Sequence, residues 1–171
     1  MSDKFHFCLG QKENYLSKIN MEHLSISSAT PDERNWAANL LSGTDPWLTL
    51  GIKPEKISES CNDPQYLIYI AHYKETACGV IIIDPQGVVG SPYIKSIAIT
   101  GEFRSRGIGA DLIKFAEELF RPTSRYLFLC VSSFNARARA FYDKLGYTIV
   151  GELKDYIIDG AAEILMSKRL T

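Results

Sequence analysis

The stretch Arg104-Ser105-Arg106-Gly107-Ile108-Gly109-Ala110 combines the features needed to hold a phosphate. A strand-like run, Tyr93 to Ile99, leads into it, and an amphipathic helical pattern, Ile108 to Phe120, leads out. The first turn of a helix has unpaired N–H groups, and its dipole favours negative charge there. Gly107 and Gly109 let the backbone approach a ligand without a Cβ between them. Arg104 and Arg106 add positive charge. Taken alone, the same residues also describe a helix cap beside two solvated arginines.

Size and composition limit the classes of protein in which such a turn could sit. A chain of 171 residues is long enough for one domain with a sizeable core. Its 46% apolar and 23% charged residues are ordinary for a globular protein. A formal net charge of -1 gives no overall attraction to nucleic acid or to an anionic membrane, so any basic site must be local. No apolar run approaches membrane-spanning length. Cys8, Cys61, Cys78 and Cys130 form no CxxC pair, and His6, His23 and His72 are isolated. A zinc site or disulfide framework is therefore not expected, and a reducing cytoplasm is the simplest compartment. No Lys-Ser or Lys-Thr follows the glycines, which argues against a P-loop nucleotide enzyme.

The remaining elements follow from periodicity and punctuation. Residues 1–20 are read as an extension or tag, with Met21 as an alternative start, and residues 21–171 as one domain. Leu24 to Ser27 alternates like a half-buried strand. Thr30-Pro31-Asp32-Glu33 carries an N-cap, a first-turn proline and a capping box, and Gly43 ends the helix. A short helix opens at Pro54 and runs to about Cys61. Tyr66 to Tyr73 and Ala77 to Asp84 read as a hairpin, with Val80 to Ile83 apolar enough for a strand buried on both faces. Pro85, Gly87 and Gly90 are expected to break the chain before Tyr93. Leu112, Phe115, Ala116 and Leu119 share a helical stripe that excludes Asp111, Glu117 and Glu118. Tyr126 to Val131 is an apolar strand. Ala136 to Leu145 is a short helix with Ala140, Phe141 and Leu145 apolar and Gly146 beyond its end. Tyr147 to Leu153 and Ala162 to Leu170 close the chain around an Asp159-Gly160 turn. The result is a mixed α/β domain with helices covering a central sheet.

Two motifs within this order carry a family resemblance. Ile97-Ala98-Ile99 followed by Arg104-x-x-Gly107-x-Gly109 resembles the acyl-CoA motif of the GNAT superfamily of N-acetyltransferases. Asn135 to Tyr147, containing Phe141-Tyr142 and Leu145-Gly146-Tyr147, resembles that superfamily's downstream motif. The element order matches from about Leu24 to Leu170. The resemblance implies a mostly antiparallel mixed sheet flanked by helices, no metal, and acetyl-CoA as the acyl donor. Backbone groups of Ile97 and Ile99 would then pair with pantetheine as with another strand, beside Ala98. The N–H groups of Ser105, Arg106, Gly107, Ile108, Gly109 and Ala110 would hold the pyrophosphate.

The implied activity is transfer of an acetyl group to a primary amine, with Tyr142 as the acid that protonates the departing thiolate. A phenol of ordinary pKa, about 10, stays protonated where a thiol near 8.5 begins to ionise. On spacing alone Tyr142 reads as a core aromatic with a hydrogen-bonded hydroxyl, and it is the motif around it that implies the catalytic role. Asn135 falls where the family contacts the cofactor or a bound water, and is also a suitable helix N-cap. The Ile99 N–H would polarise the thioester carbonyl. In the branch resembling ribosomal-protein-alanine acetyltransferases, a glutamate base sits in the middle of the fifth strand; here that position is Cys130, a poor base. Candidates for the acceptor site are Trp47, Asp84 and Tyr156. The acceptor is then a small-molecule amine, or alternatively a protein N-terminus or lysine. A non-catalytic acyl-CoA-binding module is the alternative of another class. Either a monomer or a homodimer is compatible with the sequence, and neither nucleic acid nor membrane is expected as a partner.

Overall fold

The computed structural model describes residues 23–171. The reading of residues 1–20 as an extension, and of Met21 as a start, lies outside the described residues. Seven strands form one sheet: β1 (Leu24–Ser28), β2 (Leu67–Tyr73), β3 (Thr76–Val88), β4 (Ser91–Ile99), β5 (Tyr126–Ser132), β6 (Thr148–Lys154) and β7 (Ala162–Arg169). Their spatial order is β1-β2-β3-β4-β5-β7-β6. Every neighbouring pair is antiparallel except β4 and β5. The helices are α1 (Pro31–Ser42), α2 (Pro54–Asn62), α3 (Ile108–Phe120) and α4 (Ala136–Lys144).

Alternation along β3 accounts for its unbroken apolar run. Ile81 and Ile83 join a core with Leu112, Phe115 and Leu119 of α3, together with Tyr142 of α4. Val80 and Ile82 face the other way, toward Ala37, Ala38 and Leu41 of α1 and Ile57 of α2. The central strand is thus covered on both faces, and each face must be apolar. The predicted capping box holds α1: Glu33 N–H donates to Thr30 Oγ1 (3.3 Å), and Thr30 N–H to Glu33 Oε2 (2.7 Å).

Several local expectations are revised. The third strand continues past Pro85 and Gly87 as far as Val88, because a bulge between Asp84 and Val88 absorbs both residues. Only Val89 and Gly90, both at positive φ, turn the chain into β4. The ladder of β6 and β7 opens at Lys154 and Ala162, so Asp159-Gly160 is one part of a connection spanning residues 155–161. Ala140 faces solvent. Glu117, expected on the exposed side of α3, is buried, because Lys168 of β7 reaches it with Nζ at 2.8 and 2.9 Å from the two carboxylate oxygens.

Two close backbone geometries set up the turn before α3. Ser105 and Gly107 both lie in the left-handed region, at φ 62° and 90°. Gly79 of β3 makes room for Ile99: a Cβ there would sit 2.6 Å from Ile99 Cδ1.

Removing Lys168 would strand a buried carboxylate. Lys168→Ala is expected to lower unfolding free energy in urea by about 3 kcal/mol, while Glu117→Gln with Lys168→Met should cost less than Lys168→Ala alone. The left-handed pair makes opposite predictions for its two members. Gly107→Ala should destabilise by about 1 kcal/mol, whereas Ser105→Gly should be neutral or stabilising, as read by thermal unfolding.

Candidate active site

The site begins where two strands part. Strands β4 and β5 run parallel and pair only at Tyr93 with Phe128 and Ile94 with Leu129. A register shift against β3 falls between Ile94 and Ser96, so Lys95 is an extra residue that bends β4. Beyond it, Ser96 to Ile99 stay paired with β3 but leave β5. Thr100 N–H donates to Cys78 O (2.9 Å) on the β3 side. By strand alternation, the backbone groups of Ile97 and Ile99 turn toward the open side. The gap widens into a cleft of about 960 Å³. It is walled by Ile97, Ala98 and Ile99 on one side and Cys130, Val131 and Ser132 on the other, and reaches the turn before α3 at one end.

At that end, Arg104, Ser105, Gly107, Ile108, Gly109 and Ala110 line the cleft. Among the described residues, the N–H groups of 105 to 109 have no hydrogen-bond partner, and Gly107 caps α3 without a side-chain acceptor. Successive N–H groups in a chain alternating through left-handed positions form a concave anion nest. The cradle is one residue shorter than expected, because Ala110 N–H donates to Gly107 O (2.8 Å). The two arginines separate, with Arg104 in the cleft lining and Arg106 outside it. Arg104 Nε donates to Ile99 O (3.1 Å), tying the cradle to the end of β4. Arg106 lies outside the cleft lining, its guanidinium carbon 5.2 Å from the Phe103 ring centroid.

Tyr142 projects from α4 into the same cleft, and burial pushes its phenol well above the ordinary range. A raised phenol is neutral at physiological pH and can donate a proton. Asn135 lines the cleft and also caps α4, its Oδ1 accepting from Ala138 N–H (3.0 Å), so the structural role proposed for it is present.

Across the cleft from the cradle lies a polar group that sequence reasoning only half identified. Cys130 lies beside the Tyr93 phenol, and burial raises both, which leaves the thiol un-ionised and a poor base. Beside them is Glu163 of β7, 7% exposed, its Oε1 accepting from Ser132 Oγ at 2.6 Å. Burial pushes this carboxyl above the usual carboxylate range, against the lowering effect of the Ser132 hydrogen bond. Sequence reasoning missed Glu163. The available signal was a lone acidic residue inside the apolar run Ala162 to Met166, which is costly unless the position faces something polar.

The three acceptor-site candidates separate. Trp47 lines the cleft. Asp84 does not: it sits at the β3 bulge, where its Oδ1 accepts from Gln86 N–H (2.9 Å) in an Asx turn. Tyr156 is 68% exposed and outside the lining, and its neighbour Ile157 takes the place at the wall.

Comparison with known proteins agrees with this geometry. The model of the GNAT acetyltransferase family matches residues 32–147. An uncharacterized N-acetyltransferase of Methanocaldococcus jannaschii is 37% identical over 82 residues, covering 47% of this chain and 53% of that protein; the matched region thus spans about half the length of this curated relative. Among solved structures, the fold resembles the ribosomal-protein-S18-alanine N-acetyltransferase of Escherichia coli, with a TM-score of 0.70 at 19% identity over 86% of this chain and 94% of that one. It also resembles an aminoglycoside 6'-N-acetyltransferase complexed with coenzyme A, with a TM-score of 0.68 at 22% identity over 85% and 97%. A seven-stranded, mostly antiparallel sheet split between β4 and β5, and a family match spanning most of its length, place this chain in the GNAT acetyltransferase family.

Proposed function

We propose that the protein is an acetyl-CoA-dependent N-acetyltransferase that moves an acetyl group directly to a primary amine. The observation that carries this reading is the continuity of the cleft. An anion nest at residues 105–109 leads along the open edge of β4 to Tyr142 without interruption. A diphosphate suits the nest and the positive end of α3. The extended amide chain of pantetheine suits an unpaired strand edge. The same path brings a thioester to the middle of the split, between Tyr142 and the wall formed by Cys130 and Ser132.

In this reading the chain's own residues divide the work. The Ile99 N–H, turned to the open side, donates to the thioester oxygen as charge develops on it. Tyr142 gives its proton to sulfur as the carbon–sulfur bond breaks. Trp47 forms part of the acceptor wall. The burial that raises the Tyr142 phenol keeps it in the donating form throughout the working range of pH, so this group imposes no loss of activity between neutrality and pH 9. A cradle without chemistry would need neither a buried phenol nor a buried carboxylate facing the cleft, which favours transfer over a non-catalytic acyl-CoA-binding module. A protein N-terminus or a lysine ε-amine is the alternative acceptor class.

Tyr142→Phe is expected to reduce kcat by about 10²- to 10⁴-fold while the Kd for CoA, measured calorimetrically, changes less than about twofold. Unchanged turnover in a thiol-release assay would remove Tyr142 from the mechanism. With wild-type protein, a panel of small amines, peptides with free N-termini and lysine peptides should identify one productive class. Tight CoA binding without product from any of them would instead indicate the binding module.

A further inference from the structure

Glu163 stands in the cleft without a role in the account above. Its position follows from strand register. Ser132 of β5 pairs with Glu163 of β7, and Cys130 pairs with Leu165, so Glu163, Ser132 and Cys130 project from one face of the sheet. Tyr93 pairs with Phe128 and lies on that face as well. It is the face that α1 and α2 cover further along the sheet, whereas Tyr142 belongs to the core on the opposite face, with α3. The split between β4 and β5 is therefore approached by Tyr142 from one side and by Glu163 from the other.

We propose that Glu163 is the general base, taking a proton from an acceptor that arrives as an aliphatic ammonium ion on the α1–α2 side of the split. This assignment rests on the N-acetyltransferase reading above. Ser132 Oγ fixes Oε1 at 2.6 Å, while Oε2 has no hydrogen-bond partner among the described residues and so is available to a substrate N–H. A buried carboxylate without a cationic partner favours a cation beside it. The titratable groups that interact with it are Tyr93 on β4 and Cys130 on β5, and burial pushes both upward, so neither supplies a cation or a competing carboxylate. The other charged groups lining the cleft are Asp45, Lys95, Arg104 and Arg137; the Lys95 ammonium lies 4.9 Å from the Tyr66 ring centroid, Arg104 Nε donates to Ile99 O, and no cation is within ion-pair distance of Glu163 among the described residues. The raised Glu163 carboxyl is a better match for accepting a proton near neutrality than an ordinary one. Trp47 and Ile157 at the wall favour an amine carrying an apolar or aromatic group.

The protons balance. The ammonium gives one to Glu163, which passes it to solvent. The neutral nitrogen attacks the thioester carbonyl, the carbon–nitrogen bond forms and the carbon–sulfur bond breaks. The nitrogen's second proton replaces the one that Tyr142 gives to sulfur. An amide, free CoA thiol and one released proton result.

The test compares wild type with Glu163→Gln, whose carbonyl can still accept from Ser132. Two acceptors of nearly the same shape are used, 2-phenylethylamine and its β,β-difluoro analogue, whose ammonium is far more acidic. With 2-phenylethylamine, kcat/KM of E163Q should fall about 10²-fold, and its residual activity should keep rising with pH where wild type has levelled off. With the difluoro amine, which arrives neutral, E163Q should come within a few-fold of wild type, with CoA affinity unchanged. Equal loss with both amines would show that Glu163 merely supports the structure, and no loss with either would remove it from catalysis; both outcomes overturn the assignment while leaving the transferase reading intact. Wild-type protein that binds CoA but acetylates neither these amines nor any member of the acceptor panel overturns the transferase reading and this assignment with it.

Discussion

The structure depends on a place where hydrogen bonding stops. Strands β4 and β5 share two residue pairs and then separate, although each continues to pair on its other edge, β4 with β3 and β5 with β7. Unpaired backbone groups inside a protein are costly, so a sheet that opens in its middle must be forced open and held so. The extra residue at Lys95 bends β4 away. Ile99, seated where Gly79 leaves space and near Leu112 of α3, fixes the far end of the bent strand. Arg104 Nε caps the exposed Ile99 carbonyl, leaving the N–H side of that residue toward the gap.

The opening explains why the functional groups are distributed as they are. A cleft cut through the sheet has two faces, and groups from both can meet in it. α3 and its preceding turn contribute the anion nest at one end, and α4 contributes Tyr142 from the core face. The opposite face supplies Tyr93, Cys130, Ser132 and Glu163. The buried pair of Glu117 and Lys168 ties α3, which follows the nest, to β7, the strand that carries Glu163. Burial raises the phenol of Tyr142 and the carboxyl of Glu163 alike, for a single reason: both leave water for the wall of the same cleft.

Much of this was legible in the chain, and the failures are instructive. Helix caps, the buried central strand and the basic glycine turn are local patterns, decided by residues a few positions apart, and all are present. The GNAT resemblance supplied what locality cannot, the connection between a turn at 104–110 and a tyrosine at 142. Asp84 misled because a carboxylate at a strand end can serve either a site or a turn, and here Gln86 N–H takes it. Glu117 looked like a solvated helix residue because its partner, Lys168, lies 51 positions away. Glu163 was passed over for the same reason: its meaning depends on the register that sets it opposite Ser132, a contact 31 positions distant. The register also gives a reason why Cys130 need not be the base. Glu163, the ladder partner of Ser132 two residues further along β5, presents a carboxylate on the same face.

The central claim is that the open edge of β4 and the N–H nest before α3 together form one binding track for acetyl-CoA. Amide hydrogen exchange, followed residue by residue with and without CoA, tests it most directly. The account predicts that CoA slows exchange at Ile97, Ile99 and residues 105–109 together, while amides on the β3 side of the same strand, such as Ala98 and Thr100, change little. Protection confined to other parts of the chain, or nest amides that slow while Ile97 and Ile99 do not, would contradict it.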